Sequence, residues 1–278
     1  MNTGPFHDLN ALTANGENSF QASIDPVWTI GPKVHGGSMM ALCAAAARRT
    51  FRDGDGASPG VQPLAVSANY LAAPDPGPIS LSTRVRKSGK QVSLIDVELA
   101  QGERVAVCAS VTLGVPDADA PVYVKDLSPA SMPVEPPADA IAVTPDHPIG
   151  QIVNVAKGCD MRVDGTSAQF LTGEMGEPEV RMWVRPRPAD EEDPDTAALF
   201  AIMTGDISVP VTMNRGMFGW TPTVQLTTFL RRMPAPGWLR VMARTTVVGA
   251  TWFEEDHTVL DSTGAVVVQS RQLAMIPR

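Results

Sequence analysis

Cysteine is scarce in this chain. Cys43, Cys108 and Cys159 are too few and too scattered for a disulfide framework or a zinc ribbon. They read as small buried apolar side chains in a reducing compartment. Histidine is also rare. His7, His35, His147 and His257 never take the i,i+4 spacing of helical ligands, so no metal site is expected. Positive charge is in deficit, with 22 Lys and Arg against 30 Asp and Glu and a net charge of −8. Nucleic acid and anionic membranes both attract a positive field, so neither is an expected partner. No apolar run approaches the ~18 residues of a membrane span. Residues 1–20 are polar, with no basic stretch leading into an apolar one, so no secretory leader is expected and the cytoplasm is the expected location. A Gly-x-Ser-x-Gly elbow, the mark of a nucleophilic serine hydrolase, is missing as well.

What is present is apolar surface arranged in a repeat. Hydrophobic residues make up 44% of 278 positions, enough for two ordinary domains, each with a core. In the first half, 20–30 reads as a strand. Gly36 through Arg49 reads as an Ala-rich helix, apolar all round and so buried. Strand-like runs follow at 61–72, 79–87, 92–100 and 105–114, separated by Gly/Pro/Asp turns. From 115 to 148 the chain carries eight prolines and reads as an extended crossover. The order then restarts with strands at 158–164 and 179–185. A helix follows, signalled by Asp193 as N-cap and Pro194 at its first position, and then strands at 224–232, 238–248, 250–260 and 265–276. Landmarks recur about 160 residues apart: Gly77 with Gly237, Arg84 with Arg244, Gly89 with Gly249. The expected organisation is a first domain over 1–114, a proline-rich linker over 115–150 and a second domain over 151–278. Each would be an antiparallel sheet wrapped around a helix, an α+β unit doubled on one chain. Such a unit exposes one sheet edge and one face, so pairing with a copy covers both.

Several segments resemble the double-hotdog acyl-CoA thioesterases, the group of bacterial acyl-CoA thioesterase II. These are His35-Gly36-Gly37 at the start of the first helix, Val66-Ser67-Ala68-Asn69-Tyr70-Leu71, Met203-Thr204-Gly205-Asp206, Thr223-Val224-Gln225-Leu226-Thr227 and Val268-Gln269-Ser270-Arg271-Gln272. The resemblance covers most of the chain outside the linker. It implies a tandem hotdog fold, acyl-CoA as substrate, and Asp206, Thr223 and Gln272 as the residues that hold the attacking water.

Physical chemistry bears on each of these residues. Asp206 follows a helix C-terminus, where the dipole disfavours a negative charge, and its neighbours Met203, Ile207 and Val209 are apolar. Both effects raise the pKa of a general base. Alternatively it is a polar cap at a helix-to-strand loop. Period-two counting puts Gln272 on a face with Val266, Val268, Ser270, Ala274 and Ile276. A buried amide there needs a polar partner, either a water or a structural bond. Thr223 opens a strand after Pro222 and can both donate and accept. Backbone N–H groups at a helix start suit a developing oxyanion, which makes His35, Gly36 and Gly37 the oxyanion and substrate-binding candidates. Tight helix packing explains the glycines equally well. No cofactor is needed, because a thiolate leaves readily.

For the CoA phosphates, Arg84, Arg86, Lys87 and Lys90 in one half and Arg231, Arg232 and Arg240 in the other are candidates, unless they simply form solvated faces. Shifting Asp206, Thr223 and Gln272 back by the repeat lands near Ala46, near Leu64 or Ala65, and near Ser110. None of these supplies an acid or an amide, so one working site per chain is expected. A rival reading is a non-catalytic acyl-CoA or acyl-ligand-binding hotdog protein. Pairing of two chains through a sheet edge or face is one route to a homo-oligomer.

Overall fold

A computed structural model of the protein describes residues 3–54, 59–125 and 128–277. The expected loop after the first helix falls partly on 55–58, and the linker partly on 126–127, outside the described residues. The chain runs α1 (Pro5–Leu9), β1 (Thr13–Ala14), β2 (Ser19–Ile24), β3 (Thr29–Ile30), β4 (Lys33–Val34) and α2 (Gly36–Asp53). Four long strands follow: β5 (Gln62–Tyr70), β6 (Gly77–Lys87), β7 (Ser93–Gln101) and β8 (Arg104–Gly114). After the crossover come β9 (Ile141–Ala142), β10 (Cys159–Val163), β11 (Glu179–Pro186), α3 (Pro188–Glu191) and α4 (Pro194–Met203). The chain closes with β12 (Thr223–Leu230), β13 (Leu239–Arg244), β14 (Trp252–Leu260) and β15 (Val266–Met275).

Both halves share one antiparallel sheet in the order β1-β2-β6-β7-β8-β5-β12-β15-β14-β13-β11-β10-β9. Its middle is the β5–β12 seam, with β5, β8, β7, β6 and β2 on one side answering in order to β12, β15, β14, β13 and β11 on the other. The architecture is α+β, a tandem hotdog in which α2 lies against β5 to β8 and α4 against β12 and β15. The repeat is exact in register. Across one half Arg84, Asp96, Ser110 and Ser67 stand side by side, and across the other Thr227, Arg271, Asp256 and Arg244. Ser67 and Thr227 meet at the seam, hydroxyl to hydroxyl at 3.0 Å. Gly77 and Gly237 both take positive φ, +131° and +115°, which L side chains rarely adopt.

Helix α2 is buried along nearly its whole length because its side chains are small. Cys43, Ala44, Ala46 and Ala47 have no exposed surface, so α4 and the sheet approach closely. Asp193 caps α4 through the N–H groups of Asp195 and Thr196. The two halves are tied by polar contacts too. Arg52 and the Gln62 amide both bond the Asp195 carboxylate, and Arg48 donates to the Asp195 carbonyl. Asp190 accepts the N–H groups of Phe6 and His7, and Phe6 packs edge-on against Trp28 and Phe200.

Three expectations change. The strand at 20–30 breaks after Ile24, where Asp25 and Pro26 start a 3-10 turn. The crossover is not merely extended: Ile141–Ala142 pairs with β10, and the carbonyls of Met132 and Pro133 accept from Arg240 and Trp183. The stretch Pro194–Arg215, with mean hydropathy 1.4, is apolar and long enough for a membrane-crossing helix, contrary to the sequence reading. It folds instead as α4 and two 3-10 turns, and 67% of its apolar window is buried in the protein.

Candidate active site

Asp206 ends the 3-10 turn that follows α4, and this places it against the N-terminus of α2 in the other half. The Gly37 N–H donates to its carboxyl group. His35 is the N-cap of α2. Its Nδ1 accepts from the Ser38 N–H at 3.3 Å, which leaves the proton on Nε2, and Nε2 donates to the Asp206 carbonyl at 2.7 Å. Burial lowers His35 to about 4 against the raising effect of that carbonyl bond. Its 3.6 Å approach to the Asp206 carboxylate is therefore not an ion pair at neutral pH. The Asp206 side chain is 11% exposed. Burial lifts its pKa to about 7, with the Gly37 N–H working the other way. Its own helix end is thus not the carboxyl's electrostatic partner, because the side chain turns to the positive end of α2. Tyr70 completes this wall, donating to the Gly36 carbonyl at 2.9 Å.

Gln272 is 7% exposed and sits on β15 between β12 and β14. Its Oε1 accepts from the Thr223 hydroxyl at 2.5 Å, and its Nε2 donates to Glu255 at 3.2 Å. Glu255, on β14 and 1% exposed, was not singled out in the sequence. It also accepts from the Ser208 hydroxyl at 2.8 Å and the Val211 N–H at 3.0 Å. His257 Nε2 lies 3.0 Å from the Ser208 oxygen. Because the Ser208 proton goes to Glu255, His257 is the donor. Burial, then the neighbouring His35, holds His257 near 3, so it too is uncharged at neutral pH. Burial raises Glu255 to about 7 despite the Val211 and Ser208 donors, and the charge of Asp206 adds to the rise.

Thr223 and Gln272 therefore meet directly. Among the described residues no hydrogen bond joins Asp206 to either of them, and the link runs by charge through Glu255. The signal for Glu255 and His257 was present in the sequence: along β14, Phe253, Glu255, His257 and Val259 alternate onto one buried face.

Paired strand positions show where this cluster came from. Glu255 faces Gln272 and His257 faces Ser270 across β14–β15. The equivalent pairs of β7–β8 are Ile95 with Val111 and Val97 with Ala109. Four polar side chains thus replace four apolar ones in the second half alone. The counterpart of Gln272 is Val111 rather than Ser110, which is turned to the other face. Thr223, opposite Ala274, corresponds to Pro63, opposite Leu113.

The glycines serve close packing. A Cβ on Gly37 would lie 2.5 Å from the Met203 carbonyl, and one on Gly36 would lie 2.5 Å from an Asp206 carboxyl oxygen. The space expected for a ligand is filled by Asp206 and the end of α4. The cationic candidates are not gathered at Asp206. Arg84, Arg86, Lys87 and Lys90 are exposed, and Arg86 pairs with Asp96 on the solvent face of the sheet at 2.8 Å. Arg231 and Arg232 lie past the end of β12 opposite Thr223, roughly 26 Å away at a strand's rise per residue. Arg240 is buried, donating to the carbonyls of Met132 and Asp261. An open groove of about 540 Å³ between α1 and β2 contains none of these residues. Shortly before Thr223 in the chain, Phe218 and Trp220 have exposed side chains.

Two family models match the chain in tandem: the acyl-CoA thioesterase N-terminal domain over residues 24–114 and the C-terminal domain over 128–276. The chain belongs to this acyl-CoA thioesterase family. An uncharacterized protein of Mycobacterium tuberculosis is 44% identical over 271 residues, covering 93% of this chain and 91% of its own length. A protein of Thermobifida fusca assigned provisionally to thioesterase II is 25% identical, with a TM-score of 0.82 over 100% of this chain and 99% of its own. A hot dog protein of Alicyclobacillus acidocaldarius, 19% identical with a TM-score of 0.79 over 99% of both chains, shares the fold.

Proposed function

We propose that the protein hydrolyses acyl-CoA thioesters to the free acid and CoA by general-base activation of water, at one site per chain. The observation that carries this reading is Asp206. It is a nearly buried carboxyl with a small opening to solvent, raised to about 7, which matches a base that works near neutral pH. Water held by the Thr223 hydroxyl oxygen, which Gln272 orients, attacks the thioester carbonyl carbon while Asp206 takes its proton. The C–S bond then breaks, and the thiolate leaves and recovers that proton. The Gly37 N–H is occupied by Asp206, so the second hydrogen of the Gln272 amide is the donor best placed for the developing oxyanion. Phe218 and Trp220 offer the acyl chain an apolar rim, and no cofactor takes part.

Thiol release from a panel of acyl-CoAs tests the reading. The wild type should turn over, with a rate that rises with pH through about 7. Asp206→Asn should lower kcat by about 10² or more. Binding of acyl-CoA without thiol release would instead make this a ligand-binding hotdog protein.

A further inference from the structure

The buried group formed by Glu255, Ser208 and His257 has no part in the mechanism above, yet it touches that mechanism at one atom. Glu255 Oε1 receives the Gln272 Nε2 at 3.2 Å, and Gln272 Oε1 receives the Thr223 hydroxyl at 2.5 Å. An ionised carboxylate only accepts. Already bonded to the Ser208 hydroxyl and the Val211 N–H, it obliges Gln272 to present its NH₂ end. The amide oxygen must then face Thr223, and the threonine hydroxyl must donate to it.

We propose that Glu255 is a positioning residue that sets the polarity of the water-holding pair: its charge fixes the Gln272 amide, and the amide fixes the direction of the Thr223 hydroxyl. This rests on the hydrolase reading above. With Glu255 ionised, Thr223 oxygen has only lone pairs left for the water and takes one of its hydrogens. The water's own lone pairs stay free for attack. A proton on Glu255 reverses the chain. The acid donates to the amide oxygen, the amide NH₂ turns to Thr223, and the threonine hydroxyl donates to the water, occupying one of its two lone pairs and making it a weaker nucleophile.

The groups around Glu255 leave it as the titrating member alongside Asp206. From β14 it faces His257, from the loop after α4 Ser208 and the Val211 N–H, and from β15 Gln272. His35 of α2 lies behind Asp206. Both imidazoles are held neutral by burial, His35 down to about 4 and His257 to about 3, while the two carboxyls disfavour each other's charge. In the first half Ile95 stands where Glu255 does, paired with Val111, so the relay exists only beside Asp206.

Glu255→Gln mimics the protonated state, since its NH₂ group avoids the Val211 N–H by turning to Gln272. Its kcat should fall about tenfold or more at near-constant KM. In the wild type both carboxyls must be ionised, so log kcat should rise with a slope approaching two on the acid side. In Glu255→Gln the slope should be one, and Glu255→Asp should restore two. In a Thr223→Val background Glu255→Gln should cost little more, because the relay is already cut. A slope of one in the wild type, or fully additive losses, would overturn the proposal. If no acyl-CoA is turned over, the hydrolase reading fails, and the relay is judged on the ¹⁵N resonance of the Gln272 side-chain amide. A pH step near 7 in the wild type that is absent in Glu255→Gln supports it, and a flat titration in both refutes it.

Discussion

Burying the Asp206 carboxyl has a cost in stability that depends on pH. The group has an ordinary value of about 3.9 in the unfolded chain and about 7 in the folded protein, where burial disfavours the charge. Below about pH 4 both states are protonated and nothing is lost. Between the two values the folded state alone holds the proton, so stability falls as pH rises, and above about 7 the full cost is present. Asp206→Asn removes that cost. Chemical denaturation should therefore find the variant more stable than the wild type at pH 8 by on the order of 4 kcal/mol, and by much less at pH 4. Equal gains at both pH values would show that the buried charge is not the origin. His35 and His257 carry the opposite dependence, since their lowered values cost stability as pH falls below about 6.5, but they are common to both proteins and cancel. At this scale Asp206 was legible through the family resemblance and its apolar neighbours, not through its helix end, and the burial of Gln272 through strand alternation. Glu255 was hidden in Glu254-Glu255-Asp256, which reads as a charged solvated run. Alternation along β14 puts the middle carboxyl on the buried face with Phe253, His257 and Val259, and its two neighbours on the part-buried face.

At the scale of elements, the contact between the start of α2 and the end of α4 builds the candidate site. That contact needs Gly37, since a side chain there would overlap the Met203 carbonyl, a backbone atom with little freedom to move. Gly37→Ala should lower stability by about 1–3 kcal/mol and also reduce turnover, because α4 carries Asp206 with it. Unchanged urea midpoint and kcat would mean the helix ends are free to separate. Caps and breakers made most element boundaries legible. Asp193 and Pro194 open α4 where their chemistry predicts, and the four long strands of each half fall close to their apolar runs. The misses are of a different kind. The strand beyond Ile24 reads as continuous because Val27, Trp28 and Ile30 are apolar, yet their burial is satisfied in a turn. The Ile141–Ala142 strand is too short for any pattern and exists only because β10 offers it an edge.

At the scale of the molecule, a spacing of 160 residues was enough to foresee a doubled unit. It did not indicate which strands would meet where the halves merge into one sheet, because the pairing of β5 with β12 leaves no mark in either sequence alone. That merger has a thermodynamic consequence. The seam pairs Ala65 through Asn69 with Gln225 through Phe229. The helices of the two halves pack on each other, and one hydrophobic core runs through both, from Phe6 and Met40 to Phe200 and Val268. Cross-half bonds at Asp190 and Asp195 reinforce it. A half that unfolded by itself would strip its partner of a sheet neighbour and expose the buried side of the other helix. The two should therefore unfold together, giving a single calorimetric transition whose measured and van't Hoff enthalpies agree. Two resolved transitions, or a measured enthalpy well above the van't Hoff value, would show that the halves keep separate cores. Since Asp206 and the α2 N-terminus belong to different halves, the site would then be lost before the chain as a whole unfolds.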